Sequence, residues 1–252
     1  MIKRCAYVLI IAAAFLMSPA TVRADESGGS QATVSTIIGT AKIFKIGSKE
    51  GRPLKRGDAL RSDQEVRVGD KSRVELRFPD GMVMRLAENS TFKLNKLAFD
   101  KKTDTKDVKV NLGVGKVWAK VRKFTTPDSS VEIKTSNAVA GVRGTVYRVS
   151  VADDQSATVK VYDGSVYVAN PPRDAAAQTG KAEQPHEVPG PHAVPPPYHE
   201  VSMQEWSAIV QAMQQITISP QGVPSKPENF DPKADADDWV KWNQERDAQM
   251  KF

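Results

Sequence analysis

Cysteine and histidine are scarce in this sequence, and both shortages restrict its chemistry. The 252 residues include one cysteine, Cys5, so an intrachain disulfide and a site with several cysteine ligands are excluded. The three histidines, His186, His192 and His199, all fall in one proline-rich stretch. Imidazole binds transition metals, but ligands in such a stretch would hold a metal poorly. We therefore expect no metal, no cofactor and no histidine-based catalysis.

Long apolar runs are also scarce, and the main one lies at the N-terminus. Lys3 and Arg4 precede a largely apolar run over residues 6–17, and Val22-Arg23-Ala24 places small residues where signal peptidase requires them. The pattern predicts a signal peptide over residues 1–24, with cleavage between Ala24 and Asp25.

The alternative, an uncleaved membrane anchor, is disfavoured by length. Twelve helical residues span about 18 Å, which is short of a hydrocarbon core of about 30 Å. We therefore expect an exported protein, periplasmic or secreted, that does not span the membrane after cleavage.

Charge and proline content divide the remaining chain. Residues 25–170 contain 26 basic and 18 acidic side chains, whereas residues 171–252 contain 7 and 12. Eight of the 16 prolines lie between Pro171 and Pro197, a density that favours extended, linker-like conformations. The predicted segments are a disordered leader (25–32), a β domain (33–170), a proline-rich linker (171–200) and a helical C-terminal region (201–252).

Period-two patterns predict that the β domain is built from half-buried strands. Val74, Leu76 and Phe78 alternate with charged residues, and the same alternation recurs at intervals of eight to twelve residues. Pro79-Asp80-Gly81 predicts a turn, and Asp163-Gly164 predicts a hairpin. No helical pattern interrupts these strands, so the fold class expected for the core is all-β.

Helical spacing replaces this pattern after the linker. Ser202 and Glu205 form a capping box ahead of an apolar face that begins at Trp206 and ends at Ile216. A second helix is predicted over residues 235–250, with Trp239 and Trp242 on one face. We favour docking of these aromatic residues onto the β domain over a separate partner-binding role. Asp231, Asp235 and Asp237 have spacing reminiscent of calcium ligands, but helix capping explains them better.

Several motifs in the β domain resemble the FecR domain of bacterial envelope proteins. They include Gly57-Asp58, Asp80-Gly81, the segment from Asn111 to Val117 and, most specifically, the run TSNAVAGVRGT that ends in Arg143-Gly144-Thr145. The resemblance covers about residues 33–170. It implies a two-layered β-roll or short solenoid of L-shaped strands that contacts other proteins in the envelope.

The chain departs from the family in two ways that limit this inference. It has Arg61-Ser62-Asp63 where the family often has Thr-Gly, and a signal peptide takes the place of a cytoplasmic anti-sigma segment with a transmembrane helix. The sigma-regulating role is therefore not carried over whole, and what transfers is a periplasmic β-rich module for protein contacts. For Arg143, Gly144 and Thr145 we favour a structural role, in which Arg143 ties loop carbonyls together, over ligand contact.

A basic loop supplies the remaining candidate site. Residues 42–77 contain 11 basic and 6 acidic side chains, and the candidate contacts are Lys49, Arg52, Lys55 and Arg56. This loop could bind an anionic polymer or a negative protein surface, lie on a solvated face, or be covered by the acidic C-terminal region.

Together these features favour a non-enzymatic, exported protein that binds another envelope component. We favour a protein partner, bound at a strand edge or through an aromatic anchor such as Trp206. The alternative is a peptidoglycan- or polysaccharide-binding module that uses Arg52, Lys55 and Arg56. Nucleic acid is disfavoured by export and by the lack of interleaved aromatic residues, and no catalytic motif supports an enzyme. The sequence does not indicate an oligomeric state.

Overall fold

The computed structural model describes residues 30–100, 102–124, 126–171 and 206–250, which form seventeen strands and one helix. The elements are β1 (Ala32–Ile38), β2 (Ala41–Lys45), β3 (Gly51–Pro53), β4 (Ala59–Leu60), β5 (Gln64–Val68), β6 (Arg73–Arg77), β7 (Val83–Leu86), β8 (Thr91–Asp100), β9 (Thr105–Lys120), β10 (Ser130–Lys134), β11 (Val139–Val142), β12 (Val146–Val151), β13 (Ala157–Asp163), β14 (Ser165–Ala169), β15 (Ser207–Gln211), β16 (Gln214–Ile218), β17 (Glu228–Asn229) and α1 (Asp238–Ala248).

The strands form two sheets that share one long strand. Sheet A contains, in spatial order, β4, β1, β6, β7, the second half of β9, β12, β13, β16 and β17. Sheet B contains β3, β2, β5, β8, the first half of β9, β10, β11, β14 and β15. The β9–β10 pair is parallel and the other pairs are antiparallel. The all-β class expected for the core is therefore confirmed.

Strand β9 is L-shaped because it bends from one sheet into the other. Val114 still pairs with Thr91 in sheet B, whereas Gly115 already pairs with Val151 in sheet A. Gly115 has a φ of +96°, and a Cβ at this position would lie 2.5 Å from the Cα of Ser90. Only glycine fits such a bend, so this residue sets the angle between the two sheets.

One apolar core fills the space between the sheets. Residues that alternate along each strand, such as Val74 and Leu76 in sheet A and Val131 and Ile133 in sheet B, are buried in the same cluster. This alternation is the period-two pattern of the sequence, and it explains why the strand predictions in this region are correct. The Pro79–Gly81 turn likewise joins β6 to β7 as expected.

Two local predictions are wrong. Asp163-Gly164 does not close a hairpin, because β13 belongs to sheet A and β14 to sheet B, and the segment is a corner between them. The helix predicted from Trp206 to Ile216 is replaced by β15 and β16, which meet at a two-residue corner. Val210 and Ile216 face the core as strand residues, in keeping with the strand preference of β-branched side chains.

The second predicted helix is confirmed as α1. Asp237 is its N-cap and accepts a hydrogen bond from the backbone N–H of Val240 at 2.7 Å. The helix packs on the outer face of sheet A, where Trp239 and Val240 are buried, and so adds a third layer. No helix within the described ranges is long and apolar enough to cross a membrane.

The described residues also revise the predicted segment boundaries. Strand β1 begins at Ala32, inside the predicted leader, and β15 and β16 extend both sheets beyond Asn170. Several predictions lie outside the described residues: the signal peptide with its cleavage site at Ala24 and Asp25, the histidines, the capping box and nearly all of the proline-rich linker.

Candidate binding surfaces

The basic loop between β3 and β4 is shaped by Asp58, one of the motif residues. Its Oδ2 accepts hydrogen bonds from Arg52 Nη1 at 2.6 Å and from the backbone N–H of Lys55 at 2.8 Å. The bond from Arg52, followed by that from Lys55, lowers the pKa of Asp58. Arg52, which lies on β3, thus pairs with Asp58 although its side chain is 56% exposed. The side chains of Lys49, before β3, and of Lys55 and Arg56, in the loop, are exposed as well.

Asp80 and Gly81 lie in the turn between β6 and β7, and Asp80 also contacts Lys106 near the start of β9. Asp80 Oδ1 accepts a hydrogen bond from the backbone N–H of Met82, and its Oδ2 accepts one from Lys106 Nζ at 2.8 Å. The side chains of Asp80 and Lys106 are only 8% and 5% exposed. Gly81 has a φ of +87°. Both motif residues therefore act within the fold rather than at an accessible surface.

Gly144 and Thr145 hold the corner where β11 leads into β12. Gly144 has a φ of +78°, and a Cβ there would lie 2.8 Å from the Cα of Lys123. Thr145 is buried, and its Oγ1 donates to the carbonyl oxygen of Ser165 at 2.8 Å. The corner at Gly144 and Thr145 therefore packs against two other segments of the chain, one at Lys123 and one at Ser165.

The structural role that we expected for Arg143 is not seen among the described residues. Its side chain is exposed, and within the part of the chain that the structure describes it ties no loop carbonyl. The motif is therefore divided: its last two residues build the corner, and its arginine lies on the surface.

The expected aromatic anchors are used inside the molecule. Trp206 Nε1 donates to the carbonyl oxygen of Gly222 at 2.9 Å, and its backbone N–H donates to Asn170 Oδ1. Trp239 packs edge-on against Trp118 with ring centroids 6.2 Å apart. These contacts agree with docking onto the β domain, the interpretation that the sequence favoured for the C-terminal aromatic residues.

Charged residues of the C-terminal segment complete this docking, and Asp247 is the first anchor. Its Oδ1 lies 2.7 Å from Arg85 Nη1, and its Oδ2 accepts a hydrogen bond from Trp118 Nε1 at 2.9 Å. Arg85 is fully buried and also pairs with Glu75 at 2.7 Å. Burial would raise the pKa of Glu75, but hydrogen bonds from Arg246, Ser35 and Arg85 outweigh it and lower the pKa to about 2.

Asp235 is the second anchor. Its Oδ1 lies 2.7 Å from both Arg148 Nη2 and Lys160 Nζ, and its Oδ2 accepts a hydrogen bond from Tyr162 Oη at 2.5 Å. Burial would raise the pKa of Asp235, but hydrogen bonds from Lys160, Tyr162 and Arg148 lower it. Asp235 therefore caps no helix, and it instead neutralises cations of sheet A.

Strand β15 is the last strand of sheet B among the described residues. Among the described strands it pairs only with β14. The backbone N–H of Asn170 donates to the carbonyl oxygen of Trp206, and hydrogen-bonded pairs recur at every second residue of an antiparallel ladder. Ala208 and Val210 therefore direct their backbone groups toward β14, whereas Ile209 directs its N–H and C=O away from the sheet.

Exposed apolar side chains lie beside this edge. Ile209 is 59% exposed, and its cross-strand partner Tyr167 is 53% exposed. Gly141 pairs with Tyr167 on the other side, and a Cβ at Gly141 would meet only one atom, at 4.0 Å. The result is a flat, uncharged strip, which we call the β15 strip and define as Gly141, Tyr167 and residues 207–211.

The opposite edge of sheet B is protected. Strand β3 is three residues long and includes Arg52 and Pro53, which are typical devices against strand pairing. The aromatic ring of Phe44 beside it is buried beneath the guanidinium of Arg67, 4.2 Å from the ring centroid. Of the two edges, the β15 strip alone combines an unprotected backbone with exposed apolar side chains.

Sequence reasoning missed the main residues of both surfaces. Glu75 and Arg85 alternate with core residues, which is the pattern of solvent-facing positions, and only the docking of α1 buries them. Tyr167 and Ile209 follow the same alternation, and the wrong helix prediction concealed Ile209. Within the described residues, no group of three His, Cys, Asp or Glu side chains is placed to hold a metal ion.

Comparison with known proteins shows what the β domain is similar to. Residues 64–167, about two fifths of the chain, match the model of the FecR protein family, so the chain contains a FecR-like domain. Two crystal structures of a candidate anti-sigma factor from Parabacteroides distasonis ATCC 8503, at 1.65 and 2.50 Å resolution, are similar to this chain. Each is 16% identical, with a TM-score of 0.44, and the match covers 67% of this chain and 61% of that chain. No curated protein matches the sequence.

Proposed function

We propose that this protein, which contains a FecR-like domain, is a non-enzymatic binding protein of the cell envelope. In this proposal a protein partner supplies an extended segment that adds to sheet B along β15. The observation that carries the proposal is the β15 strip: an uncharged edge strand whose Ile209 directs its N–H and C=O outward, beside the exposed ring of Tyr167.

The backbone of this edge and its side chains would have different roles. An added strand gains affinity from main-chain hydrogen bonds and specificity from pockets for alternate side chains. Here Ile209 supplies the outward backbone groups, and Tyr167 supplies an aromatic surface that Gly141 leaves uncrowded. The tryptophans that could have served as anchors are occupied by contacts within the chain, which leaves the edge as the better candidate.

The cellular location in this proposal rests on the N-terminal sequence. The signal-like segment over residues 1–24 supports export, and the FecR-like domain is compatible with an envelope role. The partner would therefore be a protein of the periplasm or of the cell surface, and the interaction would serve envelope signalling or assembly.

The proposal is tested by photo-crosslinking in cells that produce the full-length chain. A photoreactive residue replaces Tyr167, and a matched control replaces Lys42, an exposed residue on β2 beside the protected edge. Each of these two photoreactive substitutions is combined with Ile209→Pro, which removes the outward N–H of residue 209, and separately with Ile209→Ala, which keeps that N–H. Proline is tolerated at edge positions whose N–H faces solvent, so the first variant should fold.

We expect one recurrent protein adduct from position 167 that is retained in Ile209→Ala and lost in Ile209→Pro. No such adduct should form from position 42. The proposal is wrong if no adduct forms at position 167, if the same adduct forms at both positions, or if Ile209→Pro leaves its yield unchanged.

A further inference from the structure

A pocket of about 460 Å³ opens on the outer face of sheet A, beside Arg246 in the last turn of α1. Its lining includes three arginines, Arg56, Arg77 and Arg246, and one acid, Glu75. Three positive charges and one negative charge leave a formal charge of +2. The pocket is separate from the β15 strip, which belongs to the other sheet.

The Glu75 carboxylate already accepts four hydrogen bonds, so the net positive charge of the pocket remains available to a ligand. Its two carboxylate oxygens accept hydrogen bonds from Arg85, Arg246 and Ser35. Arg246 uses Nε and Nη2 for Glu75 and Thr36, at distances of 2.7–3.0 Å. Arg246 Nη1 has no hydrogen-bond partner among the described residues, so that part of the chain leaves its two N–H donors unused.

Arg56 and Arg77 line the pocket together with Thr33. Thr33 pairs with Arg77 of β6 on one side and with Ala59 of β4 on the other. The side chain of Arg77 is 53% exposed. Its Nη2 lies 3.9 Å from Glu75 Oε1, which is beyond hydrogen-bond distance. Arg56 is exposed and makes no polar side-chain contact within the described part of the chain.

The loop that carries Arg56 is fixed in place before any ligand arrives. Gly57 adopts a φ of +88°, and its N–H donates to the carbonyl oxygen of Val34 at 2.8 Å. Val34 in turn donates its N–H to the carbonyl oxygen of Asp58 at 2.9 Å, and Asp58 holds Arg52. A preformed loop lowers the entropic cost of placing Arg56 against a ligand.

We propose that this pocket binds a phosphate group. Arginine presents several N–H donors in a fixed fork that matches phosphate oxygens. A phosphate ester carries a charge of about −1.5 to −2 and three acceptor oxygens, which suits a pocket of charge +2 with open donors on three arginines. The phosphate could be a free small anion or a repeating group of an anionic polymer.

Isothermal titration of the full-length protein with inorganic phosphate and with polyphosphate tests this site. The test variant is the Arg56→Ala/Arg77→Ala double substitution. The control is Arg61→Ala, an exposed arginine outside the pocket whose only described hydrogen bond is through its backbone. Because all three side chains are exposed, thermal unfolding should confirm that every variant folds.

We expect phosphate to bind the wild type at one site, and the double variant to bind at least about tenfold more weakly, since it lacks two charge-assisted contacts. Arg61→Ala should bind like the wild type. If the ligand is an anionic polymer, polyphosphate should bind much more tightly than inorganic phosphate. If the ligand is a free anion, the two should bind with similar affinity per site. In either case the double variant should bind more weakly than the wild type. The proposal is overturned if the wild type binds neither anion, or if the double variant and Arg61→Ala bind equally well.

Discussion

The outer faces of the two sheets differ in charge and in how far the C-terminal segment covers them. Sheet A carries cations on its outer face, and the C-terminal segment covers three of them, Arg85, Arg148 and Lys160, with α1 and with the carboxylates of Asp235 and Asp247. Near β14 and β15, the outer face of sheet B is uncharged, and Tyr167 and Ile209 are exposed among the described residues. Among the described residues, the acidic segment therefore has electrostatic partners on sheet A and none on the part of sheet B near β14 and β15.

This difference shows how a chain can distinguish a structural surface from a binding surface. Buried ion pairs tolerate no loss of a partner, because an uncompensated charge away from water is costly. An exposed apolar strip can change its residues with little effect on stability. The two faces should therefore respond very differently to substitution.

The largest effect is expected for Arg85→Ala in sheet A. The change leaves Glu75 and Asp247 close together without the buried guanidinium between them. Loss of one partner of a buried pair costs about 3–5 kcal/mol of unfolding free energy. Urea unfolding measures this cost, with Arg77→Ala on the same sheet as the exposed control. Equal effects of the two substitutions would contradict the account of the covered face.

Asp247→Asn should cost less, because the substituted amide retains one acceptor oxygen. We expect a loss of about 1–3 kcal/mol from weakened bonds to Arg85 and Trp118. Hydrogen–deuterium exchange should become faster across α1. Glu245→Gln, an exposed change on the same helix, should alter neither quantity. Unchanged exchange in Asp247→Asn would show that this carboxylate does not anchor the segment.

Two glycines of one motif provide a matched pair between the corner and the open face. Gly144→Ala forces an alanine into a φ of +78° and places its Cβ 2.8 Å from the Cα of Lys123, at a cost of about 1–3 kcal/mol. Gly141→Ala adds a Cβ to open space on sheet B and should change stability by less than about 0.5 kcal/mol. Similar unfolding midpoints for the two variants would contradict the division of the motif.

Acid should lower the unfolding free energy by weakening the ion pairs of Glu75 in sheet A. The pKa of Glu75 falls from 4.5 to about 2 on folding, so its contribution to stability is complete above pH 4.5 and is lost as the pH falls toward 2. Unfolding free energies of the wild type should decline over this interval. In Glu75→Gln the decline should be shallower, and an identical profile would exclude this carboxylate as its source.

The smallest effect is expected in the β15 strip. Tyr167→Ala and Ile209→Ala remove exposed side chains and should each change the unfolding free energy by less than about 0.5 kcal/mol. By contrast, Ile209→Pro should lower the yield of the adduct formed from position 167, because it also removes the outward N–H. A loss of several kcal/mol in either variant would show that the strip belongs to the core.

The sequence predicted those parts of the fold in which each residue's surroundings follow from the local pattern. Strands such as β6 and β10 alternate apolar and polar residues, and the Asp80-Gly81 turn uses residues that favour turns. Asp237 and Asp238 predict the N-cap and the first turn of helix α1. These signals depend on neighbours in the chain, and so they can be read without the tertiary structure.

The surfaces could not be predicted in the same way, because they depend on residues distant in the sequence. Arg85 meets Asp247 across 162 positions, and only this contact converts a solvent-facing pattern into a buried one. The strands β15 and β16 were mistaken for a helix because Trp206, Ile209, Val210, Met213 and Ile216 satisfy helical spacing as well. The sheets decide the outcome, since β15 and β16 complete ladders that β14 and β13 leave open.

The most direct test of the open edge is amide hydrogen exchange of the free full-length protein, measured residue by residue by NMR. The account predicts slow exchange at Ala208 and Val210, which bond to β14, and fast exchange at Ile209, whose N–H faces outward. This alternation would establish a strand with one paired side and one available side. An Ile209 amide as protected as those of its neighbours would contradict the account, because the edge would already be occupied in the free protein.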